Sequence, residues 1–222
     1  MELAEALYTT RAMRRVRPDP IPTDVQAKIL DAAIRAPSGG NAQAWRFVLV
    51  DDPEVKARLA PIYRKALSTL WETFYAARLA EARADPESPE GASMLRTQRS
   101  ADWLADHFAE VPLFLFAFVQ IDPTGGSIFP AVWSAQLAAR AEGVGSALTT
   151  VLSFLAKDEV LEILGVPQDE GWMNACCVSF GYPTGRWGVP ERRPVHEVAA
   201  RNRWDGALGF EVPAPLWPPS AS

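Results

Sequence analysis

The chain contains the stretch Ala36-Pro37-Ser38-Gly39-Gly40-Asn41-Ala42-Gln43-Ala44-Trp45, which separates a helical pattern from an apolar strand pattern. Pro37 ends the helix, because the residue before a proline is pushed out of the α region. The two glycines allow positive φ angles and a close approach of the backbone to a ligand. The side chains that suit the edge of a heterocyclic ring are those of Ser38, Asn41 and Gln43. The same composition is also typical of a simple polar turn.

The segments on both sides of this turn have a clear periodicity. A capping box at Thr23–Gln26 predicts the start of a helix whose apolar residues continue to Ala36. After the turn, the residues from Trp45 to Val50 are apolar except for Arg46 and rich in β-forming side chains, and they predict a buried strand. The turn therefore joins a helix to a strand of the core.

A second feature is the cluster of four arginines in Arg11-Ala12-Met13-Arg14-Arg15-Val16-Arg17, within a chain of net charge −5. In an extended backbone, Arg11, Met13 and Arg15 would point to one side. Guanidinium groups bind phosphate oxygens in a bidentate manner and stay charged. The cluster therefore indicates a phosphate site, although a solvated basic surface has the same composition.

Prolines and glycines mark several expected boundaries. A helix that starts at Pro53 should end before Pro61. A helix that opens at Ile128 should be closed by Gly143 and Gly145. The other expected elements are helices at 2–10, 63–84, 94–108 and 157–164, a loop at 85–91, and buried strands at 111–119 and 172–180.

Length and composition limit the class of protein. The 222 residues, 48% hydrophobic and 22% charged, fit one large domain over 1–222. The negative net charge disfavours nucleic-acid binding. The N-terminal residues lack the basic and apolar pattern of a signal peptide, and the longest apolar run, 111–119, is too short to span a bilayer. These features predict a cytoplasmic protein that does not bind a membrane.

Metal and side-chain catalysis are not indicated. The adjacent Cys176 and Cys177 cannot supply the spaced ligands of a zinc site, so buried free thiols are expected rather than a strained vicinal disulfide. The chain has only two histidines, which excludes a histidine-rich metal site. Neither a P-loop nor a GxGxxG motif occurs. No catalytic residue is assigned, because solvent could supply the protons.

Four motifs, in their order along the chain, resemble those of the nitroreductase family. They are Arg-x-x-x-Arg at 11–15, Pro-Ser-Gly-Gly-Asn-x-Gln-x-Trp at 37–45, Ala-Arg-x-x-Gly-x-Gly at 139–145 and Arg-Arg-Pro at 192–194. The chain departs from the family pattern at Met13 (usually serine), at Ala44 (usually proline) and at Trp133-Ser134 (often Gln-Asn). The resemblance implies an α+β sandwich, with a mainly antiparallel sheet between helices, in a homodimer.

The resemblance also implies that FMN lies at the dimer interface. The basic segment and a C-terminal arginine would bind its phosphate, with the Met13 amide in place of the missing serine hydroxyl. The turn and a segment after the last glycine pair would contact its ring. The implied residues are Arg11, Ala12, Met13, Arg15, Ser38, Gly39, Asn41, Gln43, Leu148, Thr149, Thr150 and Arg192, with Arg193 as the alternative to Arg192.

In function, the resemblance implies an oxidoreductase that uses NADPH or NADH and FMN to reduce a small electron-poor acceptor, such as a nitroaromatic or a quinone, by a ping-pong mechanism. The segment 63–108 would be a variable helical cover that influences the choice of acceptor. The segment 203–222 would be an arm that packs on a partner subunit. Two alternatives remain: other FMN chemistry of the superfamily, either dehalogenation or consumption of the flavin, and a non-catalytic flavin-binding sensor.

Overall fold

The computed structural model describes residues 1–218. Residues 219–222, the end of the predicted arm, lie outside the described residues. The chain divides into two compact units: a large one, Ala12–Gly185, and a small one made by Met1–Arg11 together with the segment that begins at Arg186. The assignment of one domain over 1–222 stays a prediction.

The large unit is built on a four-stranded sheet. Its strands are β1 (Trp45–Val50), β2 (Leu113–Val119), β3 (Gly145–Thr149) and β4 (Met173–Gly181). They lie in the order β1-β2-β4-β3, and every neighbouring pair is antiparallel. Every residue of β2 is buried, which explains its continuous apolar sequence.

Helices and short 3-10 turns make up most of the remaining described chain. In chain order the helices are α1 (Leu3–Thr9), α2 (Thr23–Ala33), α3 (Pro53–Thr73), α4 (Ala76–Ala84), α5 (Pro89–Asp106), α6 (Ile128–Ala141), α7 (Val151–Leu155), α8 (Lys157–Ile163) and α9 (Val195–Val198). Among residues 1–218, none of them is both long and apolar enough to cross a membrane.

Helices cover both faces of the sheet. On one face, α2 and α6 pack against Leu115 and Cys176. On the other face, α3, α5, α7 and α8 pack against Phe116 and Cys177. Consecutive strand residues point to opposite faces, so each strand contributes to both layers. The expected α+β sandwich and antiparallel sheet are confirmed, as are two buried free cysteines.

The predicted helix break at Pro61 is wrong. Helix α3 runs through this proline without interruption, from Pro53 to Thr73. Pro61 is exposed, whereas its neighbours Leu59 and Tyr63 are buried in the core. The burial of the apolar stripe therefore outweighs the cost of a proline within the helix. The helix expected at 63–84 is instead divided between the end of α3 and α4.

Three other expectations are corrected by local hydrogen bonds. The capping box at Thr23–Gln26 does not form, because Pro22 is the N-cap and the Gln26 side-chain Nε2 donates to the Ile21 carbonyl. The expected loop at 85–91 ends earlier, because the Ser88 hydroxyl caps α5 by accepting from the Gly91 amide. Gly145 does not close a helix but begins β3, a short strand of small residues whose sequence has little β propensity.

Candidate cofactor site

The basic segment lies along the outer edge of β3. Ala12 forms an isolated bridge with Ser146, and the Met13 amide donates to the Ser146 carbonyl with an N–O distance of 2.8 Å. A Cβ atom on Gly145 would lie 2.9 Å from Met13 Cβ, so glycine is needed for this approach. The Met13 amide is thus engaged within the fold, which corrects the expectation that it is free for a phosphate.

Arg11, Met13 and Arg15 do not share one environment, as three residues on one face of an extended strand would. Met13 is buried, whereas both arginines are exposed. Within residues 1–218, the segment forms isolated bridges at Ala12 and Val16, and the Arg15 carbonyl accepts from the Thr184 amide. The strict alternation of an extended strand therefore does not apply between these two points.

Arg14 is the residue of this segment that the sequence prediction missed. Its side chain is half-buried, and no hydrogen bond or ion pair to it occurs within the part of the chain that the structure describes. Burial lowers the pKa of its guanidinium, and the nearby Tyr63 opposes this effect. A partly desolvated cation without a partner is suited to an anionic ligand. The sequence signal for it is the apolar pair Met13 and Val16, whose burial leaves Arg14 beside the sheet.

Tyr63 of α3 lies at the end of β3, near Arg14. Its ring is 2% exposed and its hydroxyl is hydrogen-bonded to Thr149, the last residue of β3. Burial raises the pKa of Tyr63 to about 12, and the bond to Thr149 opposes this rise. The Thr149 hydroxyl also accepts from the Val151 amide at 3.3 Å. Arg14, Tyr63 and Thr149 thus form a polar group at the end of β3, called the Arg14 group below.

The neighbours of Thr149, Leu148 and Thr150, differ in which of their groups are available to contact a cofactor ring. The Leu148 side chain packs against the α2–α6 layer, so its backbone is what remains for a ring contact. Thr150 is half-buried, with φ −108° and ψ 4°, and precedes α7. Of the three predicted residues in this segment, Thr149 is the one whose side chain joins the polar group.

The turn between α2 and β1 has a strained backbone. Gly40, Asn41 and Gln43 have φ angles of 58°, 54° and 49°. Two non-glycine residues in the left-handed region, separated by one residue, cost about 1–3 kcal/mol each unless the surroundings impose them. Such strain is concentrated at ligand-binding sites.

Hydrogen bonds hold the turn in this shape. The Gln43 amide donates to the Ser38 hydroxyl at 3.1 Å, and Gln43 Nε2 donates to Asn41 Oδ1 at 3.2 Å. The Gly39 amide donates to the Ser127 hydroxyl at 3.3 Å, just before α6 begins. Ser38, Asn41 and Gln43 are all exposed, so their remaining hydrogen-bonding capacity faces outward.

The turn and the Arg14 group lie at opposite edges of the sheet. β1 follows the turn, β3 ends at Thr149, and two strands lie between them. Three inter-strand spacings correspond to about 14 Å. Thr149 is also in register with Val48 rather than Trp45, which adds about 10 Å along the strands. One chain therefore does not place these two sets of predicted residues side by side.

The remaining predicted residues belong to the small unit. Arg11 and Arg192 are exposed, and Arg192 Nη1 donates to the Glu191 carbonyl at 2.8 Å. Arg193 forms an ion pair with Glu197, at 3.2 Å. Arg192 thus keeps more free donors than Arg193. No group of three or more His, Cys, Asp or Glu residues suited to a metal ion occurs among residues 1–218.

Comparison with known proteins supports the motif resemblance. The model of the nitroreductase family matches residues 7–182. A curated relative, 5,6-dimethylbenzimidazole synthase of Rhodobacter capsulatus, is 30% identical over 94% of this chain and 93% of its own.

Two solved structures share the fold. Iodotyrosine deiodinase bound to FMN and 3-iodo-L-tyrosine has a TM-score of 0.68 and 22% identity, over 86% of this chain and 95% of that one. The FMN-dependent nitroreductase NfnB of Mycobacterium smegmatis, in complex with NADPH, has a TM-score of 0.61 and 22% identity, over 86% of this chain and 96% of that one. At these identities the likeness concerns the fold alone.

Proposed function

Because the chain belongs to the nitroreductase family, we propose that it is an FMN-dependent oxidoreductase that uses NADPH or NADH. The observation that carries the proposal is the half-buried Arg14, a cation without a partner among the described residues, next to Thr149 and Tyr63. These residues fit an anionic flavin cofactor. When bound, FMN would supply the redox chemistry that transfers electrons from the nicotinamide to a nitroaromatic, quinone or similar acceptor.

The residues of the chain would bind and orient this cofactor. Arg14 would join Arg11, Arg15 and Arg192 in holding its negative charge. The strained turn would present the Asn41 and Gln43 amides to the edge of the ring, and Thr149 would donate or accept there. Proton supply needs no residue of its own, since the turn is open to solvent.

The visible spectrum of the freshly purified protein, recorded before and after anaerobic addition of NADPH, tests this proposal. A yellow protein that NADPH or NADH bleaches is expected. A yellow protein that neither nucleotide bleaches would contradict a nicotinamide-dependent enzyme and favour a flavin sensor. A colourless protein that takes up no added FMN would overturn the cofactor assignment.

We further propose a homodimer in which each flavin site combines the turn of one chain with the Arg14 group of the other. The distance between these groups across one sheet supports this arrangement, because a two-fold axis, the usual symmetry of homodimers, would pair each turn with the Arg14 group of the other chain. The exposed aromatic pair Phe129 and Trp133 on α6, four residues apart, offers an apolar contact surface. The arm from residue 203 onward would pack on the partner.

Subunit complementation tests the shared site. Arg14→Gln and the double variant Asn41→Gly/Gln43→Gly would each bind little FMN alone. Co-expression with different tags yields mixed dimers in which one of the two sites is intact, so about half of the sites in the purified mixed dimer should recover FMN. Flavin content of the doubly purified mixed dimer measures this. No recovery in a confirmed mixed dimer would place the whole site within one chain.

The relative at 30% identity favours a second candidate, consumption of the flavin to form 5,6-dimethylbenzimidazole. Incubation of the reduced holoprotein with oxygen distinguishes the two. Loss of flavin with release of a benzimidazole would support the second candidate. Many turnovers of a nitroaromatic or quinone with the flavin intact would support the first. A halogenated phenol as acceptor tests dehalogenation in the same assay.

A further inference from the structure

A cavity of about 300 Å³ lies on the α3 side of the sheet and belongs to none of the groups described above. Its floor is formed by Arg46 and Val48 of β1 and by Phe118 of β2. Its walls are the 164–167 loop, Glu170 and Trp172. The cavity therefore combines an apolar interior with one arginine and one carboxylate.

Hydrogen bonds fix the walls of this cavity. The Val166 amide donates to the Leu161 carbonyl at 2.9 Å, which folds the loop back onto α8. Gln120 Nε2 donates to the Glu170 carbonyl at 3.0 Å, and Trp172 Nε1 donates to Glu170 Oε2 at 2.9 Å. The indole and the carboxylate are thus held relative to each other before any ligand arrives, which lowers the entropic cost of binding.

The two charges of the cavity are not paired with each other. The Arg46 side chain has no hydrogen bond or ion pair within residues 1–218, and its backbone lies in the β1–β2 ladder. The Glu170 carboxylate accepts only from the Trp172 indole there. Opposite charges that line one cavity without an ion pair between them are complementary to a ligand that carries both signs.

A buried amide without a partner lies in the same part of the sheet. Asn174 pairs with Phe118, which pairs with Arg46 on its other side. Directly paired residues of neighbouring strands point to the same face, so Asn174 lies on the cavity's side of the sheet. Asn174 is 7% exposed, and neither its Nδ2 nor its Oδ1 has a partner. Native proteins seldom leave such a group unsatisfied unless it has a role.

We propose that this cavity binds a small zwitterion with an apolar body, in chemical terms an apolar α-amino acid. Arg46 binds the carboxylate and Glu170 binds the ammonium group. The apolar body packs against the Trp172 indole and Phe118. The unsatisfied Asn174 amide lies on the same face of the sheet, paired with Phe118.

Three probes that share a benzyl group test the charge requirement. L-phenylalanine carries both charges, 3-phenylpropanoate only the carboxylate, and 2-phenylethylamine only the ammonium group. In titration calorimetry of the full-length protein as purified, L-phenylalanine is expected to bind at least about 10-fold more tightly than the other two, since each lacks one charge-assisted contact. Equal affinities, or no heat with any probe, would overturn the proposal.

Matched variants locate the binding. Arg46→Gln and Glu170→Gln should each weaken L-phenylalanine binding by about 10-fold or more. The exposed controls Arg58→Gln and Asp169→Asn, which do not line the cavity, should bind as the wild type does. Unchanged binding in both cavity variants would assign L-phenylalanine to another site and would contradict the proposal. Flavin content should be the same in all four variants, so failure here is distinguishable from failure of the proposed function.

Discussion

The two outer edges of the sheet are built in opposite ways. At the β3 edge, the chain itself covers the strand: Ala12 bridges to Ser146, and Met13 is packed against Gly145. At the β1 edge, no strand among residues 1–218 lies alongside, and the strand is preceded by an exposed turn with two strained residues. The β3 edge contains the half-buried Arg14, which has no partner among residues 1–218, whereas the β1 edge presents exposed amides.

This difference separates two ways of preparing a binding site. At the β3 edge, packing positions Arg14, and the cost is desolvation of a charge. At the β1 edge, backbone strain positions Asn41 and Gln43, and the cost is conformational. Substitutions at the β3 edge should therefore act through changes in packing and charge. Substitutions at the β1 edge should act through changes in backbone strain.

The largest effect is expected from Gly181→Ala. Its new Cβ would lie 2.6 Å from Val16 Cβ, an atom that no rotamer change can move, so the segment beside β3 must shift. We expect a loss of about 3 kcal/mol in the free energy of unfolding, the upper range for overpacking. Urea denaturation measures it. At the other edge, Gly39→Ala meets nothing within 4 Å and should change stability little; equal losses would mean that the edges do not differ in packing.

Arg14→Gln is expected to have a smaller effect: it should maintain or raise the stability of the protein but weaken the binding of FMN. Removal of an unpaired, half-buried charge should leave the protein as stable as before or more so. The loss of a charge-assisted contact should weaken FMN binding by about 10- to 100-fold. Arg15→Gln, at the exposed neighbour, is the matched control and should have the smaller effect on FMN. Fluorescence titration of apoprotein with FMN decides this, and a larger effect of Arg15→Gln would restore the original assignment.

The smallest effect is expected from Gln43→Gly. Glycine accepts the left-handed conformation without strain, so the free energy of unfolding should rise by about 1 kcal/mol. Ala42→Gly, next to it at φ −66°, should instead lower stability by a similar amount. Thermal melts of the two variants give the comparison. Destabilisation by Gln43→Gly would show that its side-chain bond to Asn41 outweighs the strain.

Motifs and periodicity predicted most of the architecture. The buried strands β2 and β4 and the helices α2 and α6 follow from apolar runs that tertiary packing reinforces. The continuous helix through Pro61 was missed, because a local rule cannot weigh the burial of Leu59 and Tyr63. The strand β3 was missed because its sequence is rich in small residues with little β propensity. The first of them, Gly145, allows the close approach of Met13.

For the candidate site, the sequence located the segments but not the side chains that each segment turns inward. Arg14 and Arg15 are chemically identical, and the backbone contacts of the folded segment, among them the bridges at Ala12 and Val16, decide which one is half-buried. The strain at Asn41 and Gln43 is likewise a property of the folded turn. The cofactor contacts of the twelve residues predicted at the outset stay predictions, and the titrations above test them.

The two adjacent cysteines report separately on the opening of the two hydrophobic layers. Cys176 belongs to the α2–α6 layer and Cys177 to the α3–α5 layer. Burial raises the pKa of Cys176 to about 12 and that of Cys177 well above its ordinary value, so neither thiol is nucleophilic in the native protein. An alkylating reagent can therefore label each thiol only when its own layer opens. Peptide mapping of the labelled thiols over time would show whether the two halves of the sandwich separate together or one after the other.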